Sequence, residues 1–319
     1  MHLLVILLAG FSIPFVEMSD IPLKMMTFNT WHSGTQVEDG LSKIAKHIKI
    51  VDPDIVALQE ISSKEVIESI IAKLGKPWSG VYHCYRTYIK SAILTKHKVF
   101  VWSAHLDYHN YGPYVAYRSS TQNVEQIVYG ELGYGVGRHH NILELVTHDA
   151  MLAAINQSNV IPVIVAGDFN VPSHWDWTEE TKAKHNGWVV RWPATAFLSG
   201  HLGLFDSYRM VHYDPVLFPG YTWSPVYLTT PESGYRNPEP KDRIDFIFYR
   251  GPLRPLKSYP YNGSEPLKPI PYHRENDYPS DHAAVVTEFE YTPPIWGPAA
   301  PVPDLPSNLA QQAVLLKYA

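Results

Sequence analysis

The chain has 319 residues, 45% of them hydrophobic and 18% charged, enough to bury a substantial core in one large domain or two small ones. A formal net charge of −5 gives no global basic field, so indiscriminate nucleic-acid binding finds no support, although a local basic groove is compatible with it. Cys84 is the single cysteine, which excludes an intramolecular disulfide and any zinc site built on several thiolates.

At the N-terminus, residues 3–11 form an apolar run too short to cross a membrane. It reads as the h-region of a signal peptide over residues 1–19, without a clean small-x-small cleavage site, and implies a secreted protein. The alternative is a buried N-terminal strand or helix. Export would make Asn156-Gln157-Ser158 and Asn262-Gly263-Ser264 glycosylation sequons.

Residues 23–29 are expected as a strand, and Asp39-Gly40 precede a helix with Leu41, Ile44, Ala45 and Ile48 on one face. Asp52-Pro53-Asp54 ends it, and residues 55–60 form a second buried strand. Ser62 or Ser63 can cap the next helix, whose stripe is Ile67, Ile70, Ile71 and Leu74 and whose end is Gly75. A third strand is expected over 98–105 and a helix over 141–156. The apolar run from Val163 then ends in Gly167-Asp168-Phe169-Asn170, and strands over 243–249 and 283–289 complete the set. This order implies stacked sheets with outer helices. Residues 106–138 and 175–235 are rich in Tyr, Trp, Gly and His and read as elaborated loops, where specificity usually resides. The proline-rich segment 292–319 reads as a mobile tail.

Six strand ends carry polar groups: Asn29 in Thr27–Trp31, Glu60 after Gln59, His105, the pair Asp168 and Asn170, Asp245 after Arg243, and Asp281-His282 after Ser280. The carboxylates are hard ligands suited to Mg²⁺, Mn²⁺ or Ca²⁺, the amides add neutral oxygens or donors, and the imidazoles donate to charged oxygen near neutral pH. A phosphoester needs that combination: a cation against developing charge, donors for the phosphoryl oxygens, and a base that orients water. Singly, each group has a structural alternative. His105 can be a core histidine bonded to a carbonyl, Asp245 can pair with Arg243, and Ser280-Asp281-His282 can cap a helix. A serine-hydrolase triad is disfavoured because no Gly-x-Ser-x-Gly elbow occurs.

Taken in order, these motifs resemble the endonuclease/exonuclease/phosphatase superfamily over residues 20–291. The resemblance implies a four-layer α/β sandwich of the deoxyribonuclease-I type, with two stacked mixed β-sheets flanked by helices. It implies a phosphoester hydrolase using Mg²⁺ (or Mn²⁺) held by Asn29, Glu60 and Asp281. His105 is then expected to contact the phosphate, Asp168 and Asn170 to position water and the transition state, and His282 to be the catalytic imidazole oriented by Asp245. The substrate is expected to be a nucleic acid, a phospholipid headgroup or a small phosphoester, cut by a monomer without a stable protein partner. A non-catalytic binding protein on the same fold is the competing class. Ser91-Ala92-Ile93-Leu94 resembles a family strand, but the stretch after Leu94 is shorter than usual, as though an edge hairpin were missing. Arg118 and Arg138 are candidate phosphate contacts, and the aromatic loops can either stack on substrate or pack onto the domain.

Overall fold

A computed structural model describes residues 4–6, 21–85, 88–95, 100–132, 137–230, 234 and 236–291. The expected tail, and the expected signal segment apart from residues 4–6, lie outside them. The chain opens with β1 (Leu4–Ile6), β2 (Ile21–Asn29), α1 (Gly40–Val51), β3 (Ile55–Gln59) and α2 (Lys64–Leu74). The hairpin β4 (Ser79–Tyr85) and β5 (Tyr88–Thr95) precedes β6 (Phe100–His105). Helices α3 (Gly112–Ala116), α4 (Val124–Leu132), α5 (Arg138–Val146) and α6 (Asp149–Asn156) lead to β7 (Val163–Asp168). Next come α7 (Pro193–Leu202), β8 (Phe205–Asp206) and α8 (Ser207–Val211), then β9 (Asp245–Arg250), β10 (Leu253–Tyr261) and β11 (Ala284–Tyr291).

Two sheets form, ordered β10-β11-β2-β3-β5-β4 and β1-β6-β7-β9-β8. Pairs β2–β3 and β6–β7 are parallel while their outer neighbours are antiparallel, so both sheets are mixed. Alternation along each strand sorts the apolar residues into layers. Met25, Ile55, Ala57 and Ile93 face Val101, Ile164, Ala166 and Ile247 between the sheets. Their neighbours Met26, Val56, Leu58 and Leu94 pack under α1 and α2, while Trp102, Val163, Val165, Phe246 and Phe248 pack under α4 to α7. The result is the expected four-layer α/β sandwich. The sheets are also tied by a polar bridge, in which Gln59 Nε2 donates to Ser103 Oγ at 3.1 Å.

Ser63 caps α2, accepting from the Val66 N–H, and Gly75 closes it with φ at 80°. Other expectations need correction. The helix expected over 141–156 is two helices. Thr147 ends α5, and His148 takes an extended backbone with its Nδ1 accepting from Ala150 N–H, so a local cap replaces the helical bonds. The strand expected from Arg243 begins at Asp245, because Thr222 Oγ1 accepts the Ile244 and Asp245 amides. The stretch after Leu94, expected to lack an edge hairpin, runs from β5 toward β6 with residues 96–99 outside the described ones, and the hairpin before it is intact. The β4–β5 pair forms the sheet edge, and a register shift between Tyr82 and Cys84 interrupts its ladder.

Candidate active site

Strand register assembles the site. Parallel pairing sets His105 opposite Asp168, and antiparallel pairing sets Asp245 opposite Asp168 on the other side. Gly167 makes this approach possible. Its φ is 156°, and a Cβ there would lie 1.8 Å from the Ala104 carbonyl oxygen. In the facing sheet β2 and β3 end side by side at Asn29 and Gln59, and Glu60 follows in left-handed backbone with φ at 60°. His282 sits just before β11, bridged to Trp223, and Ser280 Oγ anchors that turn by donating to the Asn29 carbonyl at 2.6 Å.

Asp168 is the centre of the arrangement. Its Oδ1 accepts from the Asn170 backbone N–H at 2.8 Å and its Oδ2 from Asn29 Nδ2 at 3.0 Å, while the Asn170 side chain donates to the Leu106 carbonyl at 3.2 Å. The Nε2 atoms of His105 and His282 stand 3.6 and 3.7 Å from the same Oδ2. Asp245 Oδ2 holds the other ring nitrogen of His282 at 2.9 Å. Burial works against an imidazolium at His282, but the Asp245 and Asp168 carboxylates outweigh it and hold its pKa well above the ordinary value. The structural alternative for Asp245 is removed, because Arg243 pairs with Asp176 and Asp206 instead.

Glu60 stands at the rim of the facing sheet, just after β3. Its Oε1 accepts from Asn29 Nδ2 at 3.2 Å and its Oε2 from the His32 backbone N–H at 2.7 Å. Burial raises its pKa, yet His105, the His32 amide and His282 bring the net value below the ordinary one. Asp281 is buried and pushed up to about 7, by burial first, with His282 opposing and Glu60 and Asp168 adding. Carboxylates crowded at one rim, with oxygen donors and no thiolate, fit a hard divalent cation. Glu60 and Asp281 are the oxygens that suit it. Asn29 was expected to offer its oxygen, but Oδ1 accepts from Trp31 N–H at 3.0 Å, so the amide nitrogen bridges the Glu60 and Asp168 carboxylates. Donor atoms of Asp168, Asp245 and His282 also lie within 4.8 Å of one another. There the imidazole is already engaged by Asp245 through one ring nitrogen, while the other stands near Asp168.

The aromatic segments expected as loops in fact contain α3, α4, α7, β8 and α8, and their rings divide by role. Tyr111 and Trp177 donate to Asp242, and Tyr114 and Trp223 donate to Glu239 at 2.6 and 2.7 Å. Trp223 packs its ring 4.8 Å from that of His282. These rings are struts behind the His282 imidazole. Arg138, expected near phosphate, is fully buried against Glu131 and donates to the carbonyls of Asp107, His109 and Asn110, while Arg118 is exposed beyond α3. Trp223, Thr222 and His32 were not singled out from sequence. His32 carried a usable signal, standing three residues after a strand-end amide already assigned to the site.

Residues 26–282 match the model of the Endonuclease/Exonuclease/phosphatase family. The chain belongs to that family. A relative in Caenorhabditis elegans, "Uncharacterized protein F14F9.5", is 41% identical over 293 residues, covering 84% of this chain and 91% of its own. Among solved structures, truncated TDP2 of Caenorhabditis elegans superposes with a TM-score of 0.52 at 19% identity, over 84% of this chain and 98% of that one. An endonuclease/exonuclease/phosphatase family protein of Bacteroides thetaiotaomicron gives 0.51 at 14% identity, over 86% and 100%. These likenesses agree on the fold. As a member of this family the chain is a hydrolase of phosphoester bonds, in a family that depends on divalent metal.

Proposed function

We propose that the chain is a secreted, Mg²⁺- or Mn²⁺-dependent phosphodiesterase that works by in-line attack of water on phosphorus without a covalent enzyme intermediate. The observation that carries this reading is Asp168, a buried carboxylate ringed by the Asn170 amide, Asn29 Nδ2 and two imidazoles, with Asp245 fixing one of them. Asp168 accepts the proton of the attacking water while the Asn170 amide keeps its carboxylate aimed. His105 and His282 donate to the phosphoryl oxygens, and Asp245 sets the ring orientation of His282 and favours its charged form. Asn29 holds Glu60 and Asp168 at a fixed separation. A divalent cation held by Glu60 and Asp281 supplies neutralisation of charge developing on phosphate oxygen.

The intact constellation disfavours a non-catalytic binding protein. The direct test is hydrolysis of single-stranded DNA, RNA, sphingomyelin and a chromogenic phosphodiester with and without Mg²⁺ or Mn²⁺. His282→Ala and Glu60→Ala are each expected to lose roughly 10²–10³-fold or more in kcat, the scale of removing a charge-stabilising group. Full activity in both variants would refute the assignment. Secretion rests on residues 3–11 and on the exposed sequon residue Asn262. In the structure, residues 4–6 instead pair with β6. N-terminal sequencing of protein recovered from culture medium separates the two roles: export removes this segment, and a retained Leu4 defeats that part of the proposal.

A further inference from the structure

The turn after β2 is backbone of an unusual kind. Trp31, His32 and Ser33 have φ of 46°, 53° and 62°, and Gly34 continues at 74°. For residues with a Cβ, left-handed backbone costs about 1–2 kcal/mol each. Such strain persists only where surroundings over-determine it, and it concentrates at functional sites. Here the determinants are visible. Gly34 N–H donates to the Thr30 carbonyl at 2.7 Å, and Ser33 Oγ donates to the Glu60 carbonyl at 3.2 Å and accepts the Ser62 amide at 2.9 Å. Trp31 is buried against Tyr227 and His273, and a Cβ on Gly34 would lie 2.9 Å from backbone at Gly40.

What this rigid turn presents is His32. Its amide donates to Glu60 Oε2, and its ring Nδ1 lies 3.3 Å from the same oxygen. The ring is not packed away, since its side chain is 68% exposed. An exposed imidazole beside a carboxylate usually forms only a weak pair, which does not account for three consecutive strained residues. Metal–ligand bonds of about 2.0–2.2 Å place neighbouring ligand atoms roughly 3 Å apart, the spacing seen here.

We propose that His32 Nδ1 is a ligand of the divalent cation held by Glu60. The inference rests on the cation site of the proposed function and deepens it. An oxygen-only set favours Mg²⁺, whereas one imidazole shifts preference toward Mn²⁺ and Zn²⁺. The strained turn then has a purpose, because it fixes a nitrogen donor on the open side of Glu60.

The test uses full-length protein stripped of metal, titrated calorimetrically with Mn²⁺ and with Mg²⁺, together with pulsed electron paramagnetic resonance of the Mn²⁺ form. His32→Gln is expected to weaken Mn²⁺ roughly tenfold or more, to alter Mg²⁺ binding far less, and to remove a nitrogen coupling present in the parent protein. Thermal melting without metal verifies that the variant folds. Because His105 and His282 are also near, loss of the coupling in His32→Gln is the decisive comparison. If Mn²⁺ binding depends on Glu60, read with Glu60→Gln, while His32→Gln leaves affinity and nitrogen coupling intact, the His32 inference is overturned and the cation site stands. If Glu60→Gln leaves Mn²⁺ bound unchanged, the cation site itself is misplaced and the inference falls with it.

Discussion

Asp242→Asn offers a sharp test of the electrostatics behind the site. Asp242 is 2% exposed, with Oδ1 accepting from Trp177 Nε1 at 2.9 Å and Oδ2 from Tyr111 Oη at 3.1 Å. Burial pushes its pKa up from 3.8 to about 7, with the Trp177 and Tyr111 bonds only partly offsetting that penalty. The folded state therefore holds the proton more tightly than the unfolded chain does. Stability from this group is fully present below about pH 3.8, falls as pH rises through about 7, and is level above that. A carboxyl held about three pH units too high costs roughly 4 kcal/mol once ionised. Asparagine has no such charge but offers its oxygen to only one of the two donors, which returns about 1–3 kcal/mol of that gain. Urea unfolding followed by tryptophan fluorescence should find the variant more stable by roughly 1–3 kcal/mol at pH 8 and within about 1 kcal/mol of the parent at pH 5. A difference that does not change between those pH values would show that Asp242 is not ionised against burial, and the reasoning would fail.

Asp176→Ala should destabilise the fold by about 3–5 kcal/mol in the same assay, because it strips the shared carboxylate from buried Arg209 and Arg243. Gly167→Ala drives a Cβ into the Ala104 carbonyl and should lower stability by at least ~1–3 kcal/mol while separating His105 from Asp168. Gly200→Ala, which meets open space within α7, should instead stabilise by ~0.5–1 kcal/mol. Glu239→Gln keeps an acceptor for Trp223 but weakens the charge-assisted bond, so kcat should fall up to roughly tenfold, with the pH profile moved and KM nearly unchanged. An unaltered pH profile would count against the strut. Tyr108→Ala and Trp175→Ala should act the other way, raising KM with kcat retained, since both rings are exposed just beyond His105 and Asn170.

The layers were legible because their physics is local. Each strand alternates between the intersheet core and a helix-covered face, as at Ile55, Val56, Ala57 and Leu58, and the capping residues of α2 are written beside it. The site was legible for a related reason: polar groups ending apolar strands are conspicuous, and parallel crossovers bring such ends to one rim. What failed was what depends on distant partners. Arg243 next to Asp245 suggests a local ion pair, but the guanidinium reaches Asp176 and Asp206, more than thirty residues away in sequence. Arg138 looks like a free cation until Glu131 and three carbonyls claim it. The break at His148 turns on a single side-chain acceptor competing with the helical bond.

The same distinction explains why the chemistry is read more readily than the substrate. The groups around Asp168 take their positions from strand register, which sequence pattern specifies strongly because a one-residue slip would expose a buried face. The aromatic segments between the strands have no such constraint. Tyr111, Tyr114 and Trp177, which in sequence look as ready to stack on substrate as any other ring, turn inward to Asp242 and Glu239 and brace Trp223 behind His282. Their composition therefore reports on how the imidazole is held. Among the rings that stay exposed, Tyr108 stacks on His109 and Trp175 lies against His174, each pair a few residues beyond a strand-end group of the site, His105 and Asn170. Whether they touch substrate is what the KM of Tyr108→Ala and Trp175→Ala reads, since sequence pattern constrains an exposed ring far less than a buried strand face.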